Sequence, residues 1–270
     1  MIRPNIAENL FYPGNADKLK NTLAAFMPKP APATAIMAMV PHAGYVYSGA
    51  LAGEALQRVE IPPVVLLVGP NHRGAGASAA FSAYDAWHTP LGNVPLAKKL
   101  IQEFLAKEPL LIEDEAPHKN EHSLEVIIPF LKYLNPEVTI APLSLGRLSL
   151  NESMQVGRSL GQVISGFKQK TLIVASTDMS HYLTASQAAE QDKAALDQVL
   201  QLNPVDLYKT VARLNITMCG VLPVIAGLAA ALDLGARQAT LVGYTNSGAA
   251  SGDLNHVVGY AGVIITNDIL

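Results

Sequence analysis

Short, almost wholly apolar runs that stop at a histidine or aspartate constrain this chain more than any other feature. Met39-Val40 gives way to Pro41-His42-Ala43-Gly44, and Val64 to Val68 gives way to Gly69-Pro70-Asn71-His72. Thr171 to Ser176 gives way to Thr177-Asp178-Met179-Ser180-His181. Runs of this length without polar alternation are strands buried on both faces, and such strands belong in a parallel sheet covered by helices. In open sheets of that kind, ligands sit at the carboxyl ends of the strands. His42, His72, Asp178 and His181 all fall on that edge.

The rest of the chain supplies the covering helices. Apolar spacing predicts helices at Asn15 to Phe26, Ser48 to Val59 with Ser48 as cap, Pro95 to Lys107, and a segment through Val126 to Leu134. Further helices are predicted at Ser149 to Phe167, Ala185 to Leu202, Pro204 to Arg213 and Gly220 to Leu234. Met27 to Pro32 is Pro-rich and stops the first helix. Strands are predicted at Thr34 to Val40, Val64 to Val68, Val138 to Leu143, Thr171 to Ser176, Ala239 to Tyr244 and His256 to Ile265. The last two follow each other without a helix, so the expected architecture is a single-domain, three-layer α/β/α fold with a mostly parallel, mixed central sheet.

With 270 residues, half of them hydrophobic, the chain has material for one large core. Its 19 basic and 22 acidic residues form no long run of one sign, so neither nucleic acid nor an anionic membrane is an expected partner. The one cysteine, Cys219, leaves no internal disulfide framework and fits a reducing, cytoplasmic setting. Met1 to Lys20 lacks the apolar core of a signal peptide, and no apolar run is long enough to span a bilayer.

His42 and His72 are placed to converge if their strands lie close in the sheet. Two imidazoles suit iron, copper or zinc, and a carboxylate or thiolate commonly adds a third ligand. Asp178 and His181, three apart in one loop, form a candidate general-base pair in which the carboxylate fixes the imidazole tautomer. Asp178 as a simple turn cap is the alternative. His122, in Asn120-Glu121-His122-Ser123-Leu124-Glu125, stands at a helix start that explains its acidic neighbours but not the histidine, which makes it a substrate or acid–base candidate. His118 and His88 read as loop residues. Cys219 precedes Gly220 at a helix start, where the dipole favours thiolate, although a solitary cysteine is as readily a buried apolar residue. No Gly-x-Gly-x-x-Gly fingerprint, phosphate-binding Gly-Lys-Ser/Thr loop, His-Glu-x-x-His pair or Gly-x-Ser-x-Gly elbow is present. A hydrolase built from Cys219, His181 and Asp178 remains conceivable.

Seven motifs in order carry a resemblance over nearly the whole chain: Pro41-His42-Ala43-Gly44-Tyr45, Gly69-Pro70-Asn71-His72, Thr89-Pro90-Leu91-Gly92, Glu121-His122-Ser123-Leu124-Glu125, Ser176-Thr177-Asp178-Met179-Ser180-His181, Met218-Cys219-Gly220 and Tyr260-Ala261-Gly262. Together they resemble the MEMO family, called AmmeMemoRadiSam system protein B in microbes. That family is similar in structure to the class III extradiol (LigB-type) dioxygenases, which are non-haem iron enzymes. The resemblance implies one MEMO-like, LigB-like domain over residues 1–270. It also implies a metal triad of His42, His72 and Cys219 holding iron or copper, with zinc as a third option, and Asp178, His181 and His122 around the same pocket. The implied function is a metalloprotein with redox or dioxygenase-like oxidoreductase activity toward a small molecule. The alternatives are a non-catalytic module that binds a peptide or partner in the same pocket, and an extradiol ring-cleaving dioxygenase. The motifs leave the oligomeric state open.

Overall fold

The computed structural model describes residues 1–28 and 32–267, so 29–31, within the Pro-rich stretch read as the first helix stop, lie outside the described residues. The strands are β1 (Ile2–Arg3), β2 (Met37–Val40), β3 (Val64–Pro70), β4 (Ala79–Phe81), β5 (Ala86–Trp87) and β6 (Val94–Pro95). They continue with β7 (Ile112–Glu113), β8 (Thr139–Leu145), β9 (Thr171–Ser176), β10 (His181–Leu183), β11 (Gln238–Asn246) and β12 (Val257–Thr266). The helices are α1 (Ala16–Phe26), α2 (Ala50–Leu56), α3 (Lys98–Lys107), α4 (Ala116–Lys119) and α5 (Ile128–Leu134). After them come α6 (Leu150–Gly166), α7 (Ala185–Leu200), α8 (Pro204–Leu214), α9 (Val221–Asp233) and the single turn α10 (Gly248–Ser251).

Among the described residues, nine strands form the central sheet in the order β10-β12-β2-β9-β3-β8-β4-β7, with β11 paired to β12. The middle four, β2, β9, β3 and β8, run parallel. Antiparallel pairings of β12 with β2 and of β4 with β8 flank them, giving the mixed sheet with helices on both faces. The apolar runs explain the centre: every residue of β2 and β3 is buried. Val40 lies beside Ser176, and Val68 beside Ala175, so the residues after these strands emerge side by side at one edge. No helix among the described residues is long and apolar enough to cross a membrane.

Small residues let the covering helices approach closely. A Cβ at Gly157 of α6 would stand 2.4 Å from the Ala226 carbonyl oxygen of α9, and one at Gly220 would stand 2.5 Å from the Ser176 oxygen. The second contact sets the start of α9 directly on the carboxyl end of β9. Capping boxes at Ser149/Glu152 and Thr184/Gln187 begin α6 and α7.

Three local expectations give way. Ser48 does not cap α2, because the chain already turns as a π-helix at Tyr45–Gly49, within which the Ser48 hydroxyl donates to the Ala43 carbonyl. The α3 helix begins at Lys98 rather than Pro95, because Val94–Pro95 pairs with β5 in a small second sheet with β1. His118 is no loop residue: it is fully buried in α4, and its Nε2 lies 3.0 Å from the Ala80 carbonyl oxygen.

Burial pushes the His118 pKa down to about 4. The unfolded value is about 6.5, so the unfolded chain takes up the proton first as pH falls. The stability linked to this residue is therefore complete above pH ~6.5 and lost progressively toward pH ~4, by about 3 kcal/mol in all. Urea titrations across that window are expected to show a shallower pH dependence for His118→Gln than for the parent chain.

A three-histidine candidate metal site

The site is assembled from three strand or helix boundaries. His42 follows β2, His72 follows β3, and His122 precedes the 3-10 turn Glu125–Ile127 that leads into α5. One potential ligand nitrogen from each lies within 4.8 Å of the other two. The rings of His72 and His122 stack at 5.0 Å, while His42 meets them edge-on at 5.2 and 5.6 Å. Phe11, from the N-terminal segment, lies with its ring 4.5 Å from that of His122.

Hydrogen bonds fix which nitrogens are free. Glu121 is buried, and its Oε1 stands 2.9 Å from His72 Nδ1 while its Oε2 accepts the His72 backbone N–H at 2.7 Å. The same Oε1 accepts the backbone N–H groups of His122 and Ser123, each at 2.9 Å. Burial works to raise the Glu121 pKa. The His72 hydrogen bond, the charge of His72 and the Ser123 N–H outweigh it, and hold the carboxyl at about 2. An ionised Glu121 can only accept, so His72 Nδ1 carries a proton, and Nε2 is the nitrogen that a neutral ring offers as a ligand.

A second relay orients His42. Its Nδ1 lies 2.7 Å from Ser176 Oγ, and that hydroxyl donates to the Ser123 carbonyl at 2.7 Å. With its proton so committed, Ser176 accepts from His42 Nδ1–H and leaves Nε2 unprotonated. Burial, then the like charges of His72 and His122, push the His42 pKa well down, and burial lowers that of His122 as well. Neutral imidazoles with free nitrogens are the form in which histidine binds a metal.

The expected His42/His72/Cys219 triad does not form: the described residues whose ligand atoms gather to hold an ion are His42, His72 and His122. Cys219 Sγ stands beside this cluster but outside it, accepting the Asp178 backbone N–H at 3.2 Å and lying 3.4 Å from His42 Nε2. Nor does the helix start produce a thiolate, because burial and the nearby Asp178 carboxylate push the thiol pKa up. The imagined Cys219–His181 hydrolase pair is also not built, since the imidazole that faces the thiol is His42.

Asp178 and His181 occupy the same edge without pairing as a carboxylate–imidazole couple. Asp178 Oδ1 accepts the His42 backbone N–H at 2.9 Å, and burial raises the carboxyl pKa to about 7. His181 Nδ1 lies 2.9 Å from the Thr217 carbonyl oxygen, which fixes the proton there and leaves Nε2 as an acceptor. A cleft of about 170 Å³ lined by Asn71, Arg147 and Cys219 opens on one side of this edge, and one of about 390 Å³ lined by Phe11, Gly44 and Tyr47 on the other.

Glu121, Ser176 and Thr217, whose hydrogen bonds orient His72, His42 and His181, do not stand out in the sequence. The only local hint is that Glu121 adjoins His122, and its decisive partner, His72, is 49 positions away.

A mixed α/β fold that gathers three histidines able to hold a metal ion at the ends of two strands and the start of a helical turn defines the class of fold and candidate site. Comparison with known proteins gives the family. A family model described as "Memo-like protein" matches residues 3–264. A MEMO1 family protein of Aquifex aeolicus (strain VF5) is 40% identical over 267 residues, covering 97% of this chain and 98% of that protein. The MEMO1 family protein MJ0403 of Methanocaldococcus jannaschii is 35% identical over 285 residues, covering 98% of this chain and 99% of that one. The crystal structure of the uncharacterized protein JW3007 from Escherichia coli K12 has a TM-score of 0.51 at 16% identity, covering 83% of this chain and 98% of that one, and so shares the fold. The chain belongs to the MEMO1 family, the AmmeMemoRadiSam protein B family of microbes.

Proposed function

We propose that the chain is a metal-dependent oxidoreductase-type protein in which His42, His72 and His122 hold one iron(II) or copper ion. The observation that carries this reading is the set of three nitrogens within 4.8 Å of one another, two of them freed by the proton placements that Glu121 and Ser176 impose. An all-imidazole donor set suits iron, copper and zinc, and three protein ligands leave coordination positions open. Such an ion supplies Lewis acidity and, when it is iron or copper, one-electron chemistry.

The chain's own residues do the rest. Glu121 and Ser176 hold the two rings against rotation, so the ligand nitrogens are organised before the ion arrives. His181, with Nδ1–H spent on Thr217, presents Nε2 to take a proton from a bound small molecule. Asp178 anchors the His42 backbone and adds a carboxyl to the wall beside it.

Metal quantification on protein purified anaerobically without a tag is expected to give one iron or copper per chain, and a metal-free native protein that takes up neither ion would contradict the proposal. On iron(II)-loaded protein, oxygen uptake with a panel of catechols would extend the activity to ring cleavage. Silence across the panel would remove that extension and leave the metal site standing.

A further inference from the structure

The two edges of the central sheet are built differently. At one, β7 is two residues long and carries Glu113, with Asp114 next in sequence, so the edge is short and charged. At the other, β11 is nine residues long, Gln-Ala-Thr-Leu-Val-Gly-Tyr-Thr-Asn, with no proline and no charge. Among the described residues it pairs with β12 only. Short strands, charges and prolines are the devices that keep sheet edges from joining other chains, and β11 lacks all of these. Burial tells the same story: nine of the ten residues of β12 are buried and none of the nine in β11 is.

One blunting device is present, a register shift between Leu241 and Gly243, with regular ladder on either side. Its effect is to turn Leu241 and Tyr244 to one face, where a regular strand would oppose them. A Cβ at Gly243 would meet Leu51 on the α2 side, whereas Leu241 and Tyr244 line a cleft of about 300 Å³ with Leu196 and Leu200 of α7. At the rim of that cleft stand Lys193 and Asp197, one helical turn apart, exposed to solvent and ion-paired with each other at 2.7 Å.

We propose that β11 is a homodimer interface, at which the edge of one copy pairs antiparallel with the same edge of a second across a twofold axis. A second copy is the occupant that this surface fits. An antiparallel edge is self-complementary under a twofold, as an isologous contact requires. The same operation runs the two α7 helices antiparallel and brings the Lys193–Asp197 pairs of the two copies together, so that each Lys193 can share its charge with the other copy's Asp197, while the clefts beside Leu241 merge into one apolar core. The result is a continuous sheet through both copies, with the histidine sites left apart.

Sedimentation velocity on the full chain is the test, with circular dichroism to verify that each variant folds. The parent chain is expected to sediment with the mass of two copies and Leu241→Glu with the mass of one. Lys193→Asp is expected to raise the dissociation constant about tenfold or more, and the double reversal Lys193→Asp/Asp197→Lys to restore it. If Leu241→Glu does not fold, the charge-reversal series decides alone. A parent chain that stays monomeric at about 100 µM would overturn the proposal. So would a dimer that all three variants leave intact, or a monomer that gains mass only when a peptide with the β11 sequence is added.

Discussion

Replacing Arg3 by methionine is expected to cost the fold about 3–5 kcal/mol, the range found when one partner of a buried ion pair is removed. Arg3 and Glu125 are each 1% exposed, with Nη1 and Oε2 2.6 Å apart. Glu125 also accepts the backbone N–H groups of Ile6 and Ala7 and the Tyr12 hydroxyl, so one carboxylate ties the N-terminal segment to the chain before α5. Those neutral donors remain in Arg3→Met, but the compensating charge does not. The guanidinium also donates to the carbonyls of His118 and Glu121 and lies 4.1 Å from the Trp87 ring centre, contacts that methionine replaces only in part. Urea denaturation reads the loss directly. The double variant Arg3→Met/Glu125→Gln is expected to recover part of it, because the stranded charge is gone. Equal losses in the single and double variants would show that packing, not charge, sets the cost.

The second large effect falls on the metal. Glu121→Gln is expected to weaken metal binding 10–100-fold, as loss of a carboxylate behind a ligating histidine does. Oε1 accepts from His72 Nδ1 and two backbone N–H groups, and Oε2 accepts from the His72 N–H. An amide can accept at only one of the two positions, so a donor must then face a donor, and the His72 ring loses its fixed tautomer. Isothermal titration with iron(II) under anaerobic conditions, set beside a stability measurement, separates this effect from misfolding. Unchanged affinity would mean that Glu121 organises the loop and not the ligand.

These two carboxylates also mark where sequence reading stops. Apolar runs at 64–68 and 171–176 are enough to place buried parallel strands, and their ends are enough to put His42 and His72 on one edge. The roles of Glu121 and Glu125 are not legible in the same way. Both sit in a segment whose acids a helix start already explains, and their partners lie 49 and 122 positions away. His122 stands out as a histidine that helix entry does not require, but its place in the cluster depends on Ser123, next to it, being tied to Pro70 at the end of β3 and Ser176 at the end of β9. Cys219 shows the converse error. The family motif and the helix start both favour it as a ligand, yet burial keeps its proton and Asp178 N–H occupies its sulfur. His118 reads as a loop residue in the sequence, whereas contacts with Ala80 of β4 and the Trp87 ring, both more than 30 positions earlier, bury it.

The choice of third ligand is the central claim, and one comparison decides it. Metal content should be measured, after anaerobic purification without a tag, for the parent chain, His122→Ala and Cys219→Ser. The three-histidine site predicts that His122→Ala loses the ion and Cys219→Ser retains it. Retention by His122→Ala together with loss by Cys219→Ser would contradict it.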